Sequence, residues 1–218
     1  PPAPAPAADI REKAGAEGQR IVTVSSARPR MTPKEIAAMA GRDPNIGFLI
    51  HEAQQKLGKP LSRMETEGLV SLYTYGGVPV DYILLALVYC VGKKKTGIRY
   101  LEKLIYDWLD QGVDTYEAAE AHIRRLEKQS ERENMIRAAF GIHDRILSSK
   151  EKKMIERWFD ELGLELPIIR CACERTIDAL GKVSFGYINT ILTNWHAQGI
   201  RSPQQLQQEE RPRRAQTA

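Results

Sequence analysis

The stretch Gly92-Lys93-Lys94-Lys95-Thr96-Gly97 contains the letters of a phosphate loop, and His51-Glu52 opens like the helix of a zinc protease. Neither pattern completes. The basic stretch lacks the upstream glycine and follows a helical segment where a phosphate loop follows a strand. Position 55 is Gln, so the second zinc-binding imidazole is missing. Cys171 and Cys173 lie two apart on a helical segment and diverge, which does not favour a metal or redox pair. With Cys90 they make an odd count without a framework of spacings, which fits a reducing compartment. His51, His122, His143 and His196 have no Ser or Cys partner at informative spacing, and Asp107 with Asp110 reads as a solvated helix face. No catalytic residue, cofactor site or metal site is expected, and the chain is read as no enzyme. The chemistry left is that of charge. Lys93, Lys94, Lys95 and Arg99 gather in one stretch, and Lys182 stands in another, in a chain of net charge +4. Such groups suit phosphate contact.

The segments that position these cations repeat each other. Tyr100 to Val113, YLEKLIYDWLDQGV, matches Tyr187 to Ile200, YINTILTNWHAQGI, with Leu104 on Ile191, Trp108 on Trp195 and Gly112 on Gly199. Tyr, Leu or Ile, and Trp at i, i+4 and i+8 predict a helix with a bulky stripe along one side. Tyr100, Trp108, Tyr187 and Trp195 are accordingly read as packing residues. The glycine that follows suits a left-handed helix end. Each copy is preceded by a basic stretch, Lys93 to Arg99 in the first and Lys182 in the second.

The plan before each signature helix also recurs. Thr32-Pro33-Lys34-Glu35 and Asp43-Pro44 predict helix starts, and the capping boxes Ser62-x-x-Glu65 and Ser148-x-x-Glu151 predict two more. Val78-Pro79 and Pro167 open further helices. Phe48-x-x-His51 is echoed by Phe140-x-x-His143, which places a six-residue insertion at Gln55 to Pro60 of the first copy. From Thr115 a charged stretch without Pro or Gly predicts one long helix or a helix pair, on which Arg124, Arg125 and Lys128 pair with neighbouring Glu. No hairpin signal appears. The expectation is an all-α chain of 218 residues. It comprises a disordered Pro/Ala-rich linker over 1–30, helical copies over 31–125 and 126–205, and a disordered basic tail over 206–218. No apolar run approaches the roughly 18 residues that span a bilayer, and the start carries no export signal. A cytoplasmic location is expected.

Tyr187-x3-Ile191-x3-Trp195-x4-Ile200, with Tyr100, Leu104, Trp108 and Val113 as its counterpart, resembles the signature of the DnaD-type replication proteins of bacteria and phages. The resemblance spans about 46–203. It implies small helical DnaD-like domains that bind single-stranded and duplex DNA in primosome assembly and helicase loading, as in a helicase co-loader or a phage replication organiser. The implied partners are DNA, a replication initiator, a helicase or helicase loader, and further copies of the chain. Family members carry a self-associating winged helix before the helical domains; the Pro/Ala start looks like the linker after one. A second function class stays open: a protein-binding helical adaptor of the replisome without DNA contact.

Overall fold

The structure, a computed structural model, describes residues 31–208. The linker reading of 1–30 and the tail reading of 209–218 lie outside them. All regular structure among the described residues is helical. Helix α1 (Pro33–Arg42) starts from a capping box: the Thr32 hydroxyl accepts from the Glu35 amide, and the Glu35 carboxylate accepts from the Thr32 amide at 2.6 Å. Asp43 caps α2 (Pro44–Leu57), and Ser62 with Glu65 forms the same box on α3 (Arg63–Thr74). There follow α4 (Val80–Gly92), α5 (Ile98–Asp110) and a single unbroken α6 (Tyr116–Ala139). Ser148 with Glu151 boxes the start of α7 (Ser149–Glu156), which continues as a π-helical turn over Arg157–Glu161. Helices α8 (Leu166–Leu180) and α9 (Phe185–Ala197) complete the set, with a helical stretch over 203–208. That stretch runs past residue 205, where the sequence reading began a disordered tail, because Leu206 is buried in the second core.

The chain divides into two compact units between Ile123 and Arg124, inside α6. In the first, α2 packs on α4 and α3 on α5. The Tyr73 hydroxyl near the end of α3 donates to Asp43 at 2.8 Å and accepts from Asn45, both at the start of α2, so α2 and α3 run antiparallel. Helix α4 begins soon after α3 ends, which sets its start beside the start of α2. In the second unit, α8 packs on α9 around Phe140, Trp158 and Phe185. Trp158 stacks on Phe185 at 5.8 Å, and its indole N–H donates to Asn189 at 3.0 Å, so no polar atom of that buried ring is left unbonded. The π turn that holds Trp158 has no counterpart in α3 and no signal in the sequence.

The signature helices share one register. Helix α5 buries Ile98, Leu101, Ile105 and Trp108, and α9 buries Phe185, Ile188, Leu192 and Trp195, with the same 3-4-3 spacing. Their ends match bond for bond. The Val113 amide donates to the Trp108 carbonyl at 2.9 Å and the Ile200 amide to the Trp195 carbonyl at 2.9 Å, across Gly112 at φ 78° and Gly199 at φ 79°. These are Schellman ends, which require a left-handed residue and fold the following apolar side chain back onto the helix.

Two expectations need correction. Tyr100 and Tyr187, read as core residues with the tryptophans, are 41% and 42% exposed. A helix turning 3.6 residues per turn carries position i+8 about 80° round from position i, so the tyrosine lies on the flank when the tryptophan faces inward. The echo of Phe48 in Phe140 is likewise no structural equivalence. Phe48 sits mid-α2 and is exposed, whereas Phe140 follows the last residue of α6 and is buried. The true landmarks are the left-handed Gly58 and Gly141, from which the chain reaches the capping residues Ser62 and Ser148. The longer connection therefore belongs to the second copy, and the six-residue insertion assigned to the first is withdrawn.

Candidate nucleic-acid interface

Helix α4 ends at Gly92, but no glycine stands at the left-handed position that follows. The Lys95 amide donates to the Cys90 carbonyl and the Lys94 amide to the Val91 carbonyl, both at 2.9 Å, so Lys94 occupies the left-handed position of a Schellman end at φ 58°. It is the single non-glycine residue with positive φ among the described residues. A side chain there costs roughly 1–2 kcal/mol relative to the right-handed form. The turn leaves Lys93, Lys94 and Lys95 exposed, with the Lys93 ammonium 5.6 Å from the centre of the Tyr89 ring. Three residues on, α5 begins at Ile98, and Arg99 and Tyr100 are exposed in its first turn. The structure thus gathers Lys93, Lys94, Lys95, Arg99 and Tyr100 at one helix start. Lys182 stands exposed before α9, and Tyr187 occupies the same place in its first turn.

Neither α5 nor α9 has a side-chain cap, in contrast to the boxed starts of α1, α3 and α7. Leading amides left without a side-chain acceptor carry the positive end of the helix dipole and favour an anion. The remaining signature residues serve packing: Trp108, Trp195 and Ile200 are buried, and Leu104, Val113 and Ile191 are half-buried. Trp108 meets Tyr82, Tyr89 and His122 edge-on or tilted, and Arg175 lies over the Trp195 ring at 4.8 Å.

A cavity of about 630 Å³ opens between α3 and α5 beside Arg99. Gly68 lies on its wall, where the Glu102 carboxylate packs so close that a Cβ would meet it at 2.6 Å. Glu65, Glu67 and the buried Glu102 line it together with Arg99, and three carboxylates make its interior unfavourable for an anion.

Sequence reasoning missed a second cationic surface. Arg124, Arg125, Lys128 and Arg132 line a groove of about 410 Å³ beside α7, where Glu156 and Asp160 offset part of their charge. Arg132 pairs with Asp160 at 2.7 Å and lies 4.9 Å from the Phe159 ring, across the fold instead of along the helix. The spacing along a Glu-rich helix resembled ordinary i, i+4 pairing, so nothing in it pointed to a groove.

Burial disfavours the thiolate at all three cysteines. Cys90 and Cys173 are buried, and burial pushes both thiols up to about 11; burial also raises Cys171. Among the described residues no group of three His, Cys, Asp or Glu side chains could hold a metal ion, and no helix is long and apolar enough to cross a membrane.

Comparison with known proteins agrees with the doubled plan. The DnaB_2 family, described as replication initiation and membrane attachment, matches twice, over residues 50–123 and 138–210. No curated protein and no solved structure matches the chain. The two matches run in tandem, as in a DnaD-type protein with two helical copies, and together they cover most of the sequence. The chain belongs to the replication initiation and membrane attachment family.

Proposed function

We propose that this chain is a non-catalytic DNA-binding factor of replication initiation, a helicase co-loader or phage replication organiser, that holds single-stranded DNA at the starts of α5 and α9. The observation that carries the reading is the matched exposure of Tyr100 and Tyr187, 41% and 42%, in the first turn of each signature helix, next to the loops that hold Lys93 to Lys95 and Lys182. Exposed aromatic rings beside cations are what strand binding without sequence readout uses: the cations track phosphate and the rings stack on bases. The uncapped helix starts add backbone donors for a phosphate oxygen. The first copy holds DNA more strongly, since Lys93, Lys94, Lys95 and Arg99 outnumber Lys182. Duplex DNA engages the same cations through its phosphates, without the stacking.

The test replaces both rings, Tyr100→Ala with Tyr187→Ala. Each stacked base contributes about 1–3 kcal/mol by alanine substitution, so affinity for a single strand falls by at least about tenfold while duplex affinity changes little. Folding holds, because exposed positions away from special features change stability by about 0.5 kcal/mol or less. Unchanged single-strand affinity in a folded double variant removes the rings from the interface and favours the protein-adaptor class.

A further inference from the structure

The chain enters α1 at the wall of the acidic cavity between α3 and α5. Met31 is buried in a small core with Ile36, Ile46 and Val70, and its amide donates to the Glu67 carboxylate at 2.9 Å. Glu67 lines the cavity from α3 and Glu102 from α5, the latter only 5% exposed, with Met64 and Ile98 as apolar wall. Glu65 is already held by Lys59 at 2.7 Å, and the exposed Arg99 adds one cation. Carboxylates drawn out of water are costly unless cations and donors reach them. Arginine suits such a place: its guanidinium bonds carboxylates in parallel pairs, and its stem packs on apolar wall.

The second copy has neither the charge nor the space. Matching Ser62 with Ser148 sets Glu67 on Lys153 and Gly68 on Met154, and matching Trp108 with Trp195 sets Glu102 on Asn189. Met154 packs against the second core, and Asn189 accepts from the Trp158 indole at 3.0 Å. The acidic cavity therefore belongs to the copy that directly follows Ala27-Arg28-Pro29-Arg30.

We propose that the cavity is the docking site of that segment of the same chain, with Arg28 and Arg30 paired to Glu67 and Glu102. Arg30 adjoins Met31, one Cα step of about 3.8 Å from a residue already bonded to Glu67. Proline at 29 disfavours a helical backbone at 28, and side chains two apart on an extended chain point the same way. Two such residues span roughly 7 Å, which a cavity of about 630 Å³ accommodates. A basic segment of another protein has the same chemistry, but this one is tethered at the cavity wall, at an effective concentration on the order of millimolar. The docking anchors the entry of the chain beside the start of α5. It is measured without DNA, so it stands or falls apart from the DNA reading.

The experiment is a double-mutant cycle on the whole chain, with denaturant unfolding of the first unit followed through Trp108. One arm is Arg28→Gln with Arg30→Gln, the other Glu67→Gln with Glu102→Gln. Each arm shifts the unfolding equilibrium by at least about tenfold, and the two shifts together fall short of their product by about the same factor. Should the double glutamate variant fail to fold, Glu67→Gln alone, at a half-buried position, carries the cycle. Glu67→Gln also speeds tryptic cleavage after Arg30 by at least about tenfold and leaves cleavage after Arg20 unchanged, since proteolysis follows the population of the open segment. Multiplying shifts overturn the proposal, and so does cleavage after Arg30 that is indifferent to Glu67→Gln. A peptide Ala-Arg-Pro-Arg that binds the parent as tightly as it binds the double arginine variant overturns it as well, because the cavity then serves a segment of another protein.

Discussion

Trp195→Ala tests how the second unit is held together. The indole is 6% exposed, closes the core with Phe185, Ile188 and Leu192, and carries Arg175 on its face at 4.8 Å. Truncation removes the larger part of an aromatic burial of about 150–250 Å², which at about 25 cal/mol per Å² and with a residual cavity amounts to roughly 3–5 kcal/mol. The Arg175 contact adds about 0.5–1 kcal/mol within that range. For a unit of this size about 1 kcal/mol moves the melting midpoint by roughly 4–8 °C, so the second unit melts at least about 12 °C lower. Trp158 stays in place as a fluorescent reporter of the same unit, and Trp108 reports the other. The expected record is an early transition in the Trp158 signal with that of the first unit little changed. A midpoint equal to the parent's refutes the core assignment and, with it, the 3-4-3 register shared by α5 and α9.

Two further predictions follow from local chemistry. Lys94→Gly relieves the left-handed side chain at φ 58° and stabilises the first unit by about 0.5–1 kcal/mol, while removing one cation flattens the logarithmic salt dependence of single-strand binding by about 0.7; a variant less stable than its parent contradicts the turn geometry. In acid, the hydrogen bond from Lys59, followed by those from Ser62, holds the Glu65 carboxyl down to about 2, against an ordinary value of 4.5. The unfolded chain therefore takes up the proton first, and the stability contributed by this carboxylate, full above about pH 4.5, is lost as pH falls towards 2. Glu65→Gln flattens that part of the stability curve for the first unit; an identical curve in parent and variant counts against the capping pair.

The helix starts were legible because their chemistry is local. Thr32 with Glu35, Ser62 with Glu65 and Ser148 with Glu151 need only four consecutive residues to satisfy stranded amides, and all three boxes are present. Which way a helix faces is not local. The spacing i, i+4, i+8 looks like one side and so points Tyr100 and Tyr187 inward, yet the drift over two turns leaves the tyrosine exposed once Trp108 and Trp195 are fixed inside. Phe48 and Phe140 misled for a related reason, since a letter match carries no register across a loop of different length. The turn at Lys94 was hidden because a left-handed lysine sends none of the signal that glycine sends. The groove at Arg124 to Arg132 depends on which helix packs beside α6, and the spacing of charges along one helix cannot supply that.

The central claim is that phosphate is held at the loop before α5, and a salt titration of single-strand binding tests it most directly. The parent should lose affinity steeply with added salt. Replacing Lys93, Lys94 and Lys95 together by Ala should flatten the logarithmic slope by about two, taking about 0.7 per phosphate contact on single strands, while Lys182→Ala changes it by less than about one. Folding stays intact in both, since all four lysines are exposed. A parent whose binding is indifferent to salt, or a folded triple variant with the parent's slope and affinity, would contradict the account.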